Sequence, residues 1–417
     1  MNPTDLQPTT AAQRLGLLDA VRAVALLGIL LMNIEAFNGS VLQAGTGIDP
    51  SLSGADRWVD RLIYFFIQGK FFTLFSLLFG MGFAVMAGRA QAAGRGFAGF
   101  YFRRSAVLLG IGLLHALLIW SGDILVSYAL VGVCLLPFWQ ANARWMLFPG
   151  ILVFLAGPAM LLAYGLLAWV MGQSPESAAV WNEALEGQFE KIGALVAQAD
   201  QVYASGTWLE ALEVRAQEWL VTLSGLPLMG ALVLGMFLIG AALVRSGAMV
   251  EPAVWPRLFS VFRWVLLPVG IAVMALSCWV APHVPLDSFT LTTATGQALW
   301  MLASGLMCLG YLGWLVKLFT APAGQRISAW LAPAGRMALS NYLLQSIVCT
   351  LIFYSYGLGW YGQMPRALQP VLVLGLFVLQ VWGSRLWLTH FRFGPVEWIW
   401  RSLTYLRLQP MRASATA

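Results

Sequence analysis

Long apolar runs broken by short polar stretches recur ten times along this chain. A helix that crosses a bilayer needs about 20 mainly apolar residues. Ten runs near that length occupy residues 17–37, 63–86, 105–120, 124–139, 145–170, 223–244, 259–281, 299–318, 338–356 and 370–388. The third and fourth are short, and only Ser121, Gly122 and Asp123 part them, which predicts a tight helical hairpin. The first run holds Asp19 and Arg22, and no small-residue cleavage pattern follows it, so it reads as a span and not a removable leader. The pattern predicts an all-α fold, a polytopic membrane helix bundle of about ten transmembrane helices forming one domain over residues 1–417. No internal repeat is clear enough to predict an inverted-repeat transporter.

Composition removes the competing fold classes. The chain is 59% apolar and 10% charged, whereas soluble domains are nearer a quarter charged. So few charges cannot cover a soluble surface, and the abundance of aromatic and aliphatic residues excludes disorder. Cys134, Cys278, Cys308 and Cys349 all lie in apolar runs without metal-ligand spacing, so neither a disulfide scaffold nor a metal is expected.

Charge sets an orientation. With the N-terminus in the cytoplasm, 18 of the 24 Lys and Arg fall on the cytoplasmic side and 14 of the 18 Asp and Glu on the other. Basic residues in short loops stay cytoplasmic during insertion. The expectation is a multi-pass protein of the plasma membrane with both termini cytoplasmic. The net charge of +6 then reflects topology and predicts no nucleic-acid partner. Residues 172–222 form an acidic extracytoplasmic insert, with apolar residues at helical spacing on both sides of Ser205 and Gly206. Two amphipathic helices are predicted there, either skimming the membrane or closing a pocket as a lid.

Polar residues inside spans are costly and point to function. Asp19 and Arg22 share a helix face and can pair; the arginine suits an anion as well as a snorkelling role. Asn33 and Glu35 follow on the same helix, and Lys70 lies in the second span beside Gly69, Phe71 and Phe72. His115 stands alone among three histidines in lying deep in a span; His283 and His390 fall at interfaces. Tyr128 descends to a similar depth on the next helix, and Asp123 is at the lip between them. Asp123 is eight residues from His115, a separation that argues against direct contact. An imidazole near neutral pKa suits proton transfer. In the stretch 335–346, Arg336, Asn341 and Gln345 gather toward the cytoplasmic end of the ninth span, where interhelical hydrogen bonding and ligand contact are both open readings.

The opening Leu18-Asp19-Ala20-Val21-Arg22, running on to Met32-Asn33-Ile34, resembles that of the YeiB-like family of bacterial inner-membrane proteins. Gly69-Lys70-Phe71-Phe72, Arg103-Arg104 leading to His115 and Asp123, the stretch 335–346, and Phe393-Gly394-Pro395 through Arg401 match in the same order. The first helix is also similar to that of the heparan-glucosaminide N-acetyltransferase group of transmembrane acyltransferases. That group has its histidine before the second membrane helix, where this sequence has Asp56, Trp58 and Asp60. The resemblance implies an acyltransferase that takes an acyl group, such as acetyl, from cytosolic acyl-CoA. The acceptor would be a hydroxyl or amine, as on a sugar or glycan, at the far side of the membrane. Arg22, Arg103, Arg104 and Arg336 would hold the CoA phosphates, with Asp19, Asn33, Lys70, Asn341 and Gln345 as further substrate contacts. His115 would be general base, Tyr128 would bond the imidazole or the oxyanion, and Asp123 would steer the acceptor or fix the tautomer through a water. Membrane lipids are the other expected partners, no metal is implied, and a homo-oligomer stays open. The competing reading of the same residues is a proton-coupled transporter of a small solute or lipid intermediate.

Overall fold

The computed structural model describes residues 16–412. Asp5 and Arg14, which entered the charge reckoning, lie outside the described residues. The chain is an all-α polytopic bundle, and among the described residues there is no strand beyond two isolated bridges. In chain order the helices are α1 (Gly16–Asn38), α2 (Gly54–Phe66), α3 (Lys70–Ala92), α4 (Ala98–Leu118), α5 (Leu125–Val133), α6 (Ala143–Met171), α7 (Pro175–Ser205) and α8 (Trp208–Ser224). They continue as α9 (Leu226–Arg245), α10 (Pro256–Val261), α11 (Leu267–Val280), α12 (Leu291–Thr320), α13 (Pro322–Arg336), α14 (Ala338–Phe353), α15 (Gln369–His390) and α16 (Pro395–Tyr405).

Eight of these helices or continuous helix pairs are long and apolar enough to cross a membrane, and the bent pair α13–α14 makes a ninth. The ten expected spans need one correction. Residues 124–139 contain only the nine-residue α5 and a following 3₁₀ turn, Leu136–Phe138. This segment nonetheless carries the chain back along the bundle, because Arg245 at the end of α9 donates to the Trp139 carbonyl at 2.5 Å. The ninth expected span, 338–356, holds the continuous helix α14, which reaches membrane length only together with α13, joined to it at a 72° bend around Met337.

α1 is buried along most of its length and packs against α3, α12, α13, α14 and α15. α3 and α9 approach backbone to backbone, since a Cβ on Gly80 would meet the Phe237 carbonyl and one on Gly240 the Leu77 carbonyl. Small residues permit this in membranes, where close packing replaces the hydrophobic drive. The apolar faces of α6, α11 and α15 are exposed, as at Phe148, Trp279 and Trp382, where lipid would cover them.

The two predicted insert helices are α7 and α8, with α8 opened by a Thr207–Glu210 capping box. They do not skim free. Tyr203 stacks on Tyr354 with centroids 4.3 Å apart, Ser355 N–H donates to the Tyr203 carbonyl at 2.9 Å, and Tyr361 donates to Asp200 at 2.8 Å. The insert thus caps one end of the bundle, here termed the acidic end. The opposite, basic end carries Asp19, Arg22, α16 and the described end of the chain.

Candidate functional site: two cavities at opposite ends of α1

At the basic end a cavity of about 270 Å³ opens between α1, α3, α4, α14 and α16. Six arginines line it: Arg22, Arg89, Arg104, Arg336, Arg392 and Arg401. Asp19 and Glu397 are the carboxylates of the lining, and each has a structural partner. Asp19 accepts from Arg22 at 2.5 Å. Glu397 accepts the Leu339 and Ser340 N–H groups at 2.8 and 3.1 Å and the Ser340 hydroxyl at 2.5 Å. It therefore caps the positive end of α14 that the bend exposes. Arg104 lies over the Trp400 ring at 3.6 Å, and the Nε atoms of Arg104 and Arg336 are buried without a hydrogen-bond partner among the described residues. The mouth thus has a surplus of guanidinium groups, the chemistry that binds phosphates. Further in, the walls turn apolar at Leu26, Ile29, Phe75 and Phe79, and Tyr128 and Tyr342 stand among them.

His115 lies behind that inner wall. Its ring centroid is 5.2 Å from that of Tyr342 and 6.3 Å from that of Trp120. Nδ1 is 2.7 Å from Asp123 Oδ1, and both residues are buried. The other Asp123 oxygen accepts the Val126 N–H at 2.7 Å, fixing the carboxylate to the start of α5. A proton on Nδ1 satisfies this contact, which leaves Nε2 as the basic nitrogen. Nε2 is buried and has no hydrogen-bond partner among the described residues.

At the acidic end a second cavity of about 740 Å³ is built from the end of α1, the loop after it, α2, the loop after α11 and the segment before α15. Its wall is braced by Arg366. That guanidinium meets Glu35 at 2.7 Å, Asp60 at 3.0 Å and the Gln369 amide oxygen at 2.6 Å. Arg22 and Glu35 are thirteen residues apart on one helix, so the two cavities are separated along α1 by about 20 Å. Between the second cavity and His115 stands Glu218 of α8. It accepts from Ser40 at 2.9 Å, Ser121 at 2.6 Å and Tyr203 at 2.7 Å. Burial pushes its pKa above the usual carboxylate range, against the opposing effect of the three hydroxyls.

Known proteins match this chain over nearly its whole length. The chain is 33% identical to the uncharacterized protein YxaH of Bacillus subtilis (strain 168), over 98% of each chain. It is 32% identical to the uncharacterized protein YeiB of Escherichia coli (strain K12), over 93% of this chain and 95% of that one. Residues 243–407 match a family model described as Protein of unknown function (DUF418). The chain belongs to the YeiB-like family. No solved structure matches it.

In this YeiB-like protein the predicted residues divide into three groups. Asp19, Arg22, Arg104, Arg336 and Tyr128 line the basic cavity. Asp123 touches His115 directly, contrary to the separation expected from sequence, because the chain reverses after Ile119 and returns the carboxylate to the ring. Tyr128 does not bond the imidazole; its hydroxyl meets Ser76 at 2.7 Å and the Phe72 carbonyl at 3.0 Å. The remaining residues lie elsewhere. Arg103 donates to the Thr404 carbonyl, and Asn33 lines neither cavity. Lys70 is fully buried and donates to the Tyr64 carbonyl at 3.0 Å, near the Tyr64 and Trp300 rings. Asn341 bonds Ser384, and Gln345 bonds Gln380, so both tie α14 to α15. Sequence reasoning passed over Tyr342, although it stands within the stretch 335–346. It also passed over Arg392 and Arg401, at either end of the Phe393–Gly394–Pro395 stretch.

Proposed function

We propose that this YeiB-like protein is an acyltransferase of the bacterial inner membrane, with the basic end and both termini cytoplasmic. The observation that carries the reading is the arginine-mouthed cavity, whose inner wall is the Tyr342 ring against which the His115–Asp123 pair packs. The pyrophosphate and 3′-phosphate of an acyl-CoA match the guanidinium groups at the mouth, and its pantetheine arm matches the apolar interior.

His115 Nε2 would take the proton of an acceptor hydroxyl or amine as that group attacks the thioester carbonyl. The tetrahedral intermediate then expels the CoA thiolate, which recovers the proton from the imidazolium. Asp123 holds the ring in the tautomer that leaves Nε2 basic and stabilises its protonated form. The Tyr342 ring separates imidazole from cavity, so transfer requires it to swing aside. Tyr128 shapes the wall with a hydroxyl already engaged.

General-base loss typically costs about 10²–10⁴ in rate. Folded His115→Gln protein is expected to lose acyl transfer, or acyl-CoA hydrolysis where no acceptor is supplied, by that factor while still binding acyl-CoA. Turnover within a few-fold of the parent sinks the reading. Two cavities at opposite ends of one helix also suit a proton-coupled transporter, and loss of solute uptake with parental hydrolysis would select that reading instead.

A further inference from the structure

The acidic-end cavity has a chemistry of its own. Glu35, Asp49, Asp56, Asp60 and Asp287 line it against a single arginine. Arg366 is engaged by Glu35 and Asp60. Asp49, Asp56 and Asp287 have no cationic partner among the described residues. Asp49 and Asp56 each direct one oxygen at a backbone N–H, of Ser51 and Ala367 respectively, which leaves the second oxygen of each for another donor. Gln369 is only 2% exposed and lines the cavity, yet its amide nitrogen has no hydrogen-bond partner among the described residues.

These groups select a ligand class. Uncompensated carboxylates repel an anion and would be left desolvated by an apolar molecule. Among the described residues no three acidic or histidine side chains converge closely enough to hold a metal ion. An organic cation answers the surplus negative charge, and an oxygen on the same molecule answers the Gln369 amide. We infer that this cavity binds a small hydroxylated amine, with its ammonium group among Asp49, Asp56 and Asp287 and a hydroxyl oxygen at Gln369. Binding stands without acyl transfer; only the use of the bound amine as acceptor rests on the reading above.

Glucamine, sorbitol and gluconate share a six-carbon polyol chain and differ in charge, so they test the inference by calorimetry on the full-length protein in detergent without CoA. Glucamine is expected to bind, sorbitol to bind about tenfold more weakly and gluconate not at all. Asp287 is exposed at the lip and outside the Arg366 network, so Asp287→Asn should fold normally and weaken glucamine about tenfold. Asp287→Glu should restore most of the affinity. Equal affinity for the three probes, absence of glucamine binding at millimolar concentration, or unchanged affinity in Asp287→Asn overturns the site. Glucamine that binds but accepts no acyl group removes the acceptor role and leaves the site standing.

Discussion

Glu218 concentrates at one atom pair the tension between burial and polarity. Its side chain is fully buried, and three hydroxyls from three different segments converge on it. Burial favours the protonated carboxyl; the hydroxyls favour the ionised form; burial wins, so the folded pKa is raised. A carboxyl with a raised folded pKa contributes stability that is complete below its unfolded pKa and is lost as pH rises through the folded value. The docked insert is therefore expected to loosen as pH rises above the ordinary carboxylate range. Glu218→Gln keeps a hydrogen-bonding group of the same shape without the titration. Melting temperatures of the two proteins across pH should diverge in slope, the parent falling and the variant staying level over that window. Parallel profiles would show that Glu218 does not titrate with docking.

At the scale of elements, helix contacts are set by what is missing from side chains. Gly80 in α3 leaves room for the Phe237 carbonyl of α9 and Gly240 for the Leu77 carbonyl of α3, so each helix is recessed where the other protrudes. Gly80→Val forces the backbones apart and is expected to cost about 3 kcal/mol or more, by overpacking a site that cannot relax. A Cβ on Gly110 in α4 would meet nothing within 4 Å, so Gly110→Ala should be neutral or stabilising by about 0.5–1 kcal/mol. Denaturant titration of both in detergent checks the contrast, and equal effects would remove the contact argument. Apolar run length made most spans legible because a bilayer demands some 20 residues of each. It misread residues 124–139, where the insert covers the outer side of a short return. The His115–Asp123 contact was hidden for a related reason: helical spacing assumes the helix continues, whereas the chain turns back after Ile119. The acidic cavity was illegible because its walls come from five separate segments whose carboxylates are unremarkable one at a time.

Across the whole molecule the two ends of the bundle carry opposite chemistry. Six arginines surround one cavity, five carboxylates line the other, and the acidic insert crowns the second end. A membrane protein inserted by the usual rule keeps basic segments in the cytoplasm, so the arginine-lined end should face inward and α7 outward. Glu186 lies on the exposed surface of α7, and Leu408 is 75% exposed just beyond α16. Both accept a cysteine without disturbing packing, in a background where the exposed Cys134 is replaced by serine. A membrane-impermeant maleimide applied to intact cells is expected to label the Glu186→Cys protein and to reach the Leu408→Cys protein only after permeabilisation. The reverse pattern would place the arginine-lined cavity outside, out of reach of cytosolic CoA. That result would end the acyl-CoA reading while leaving the fold and both cavities as described.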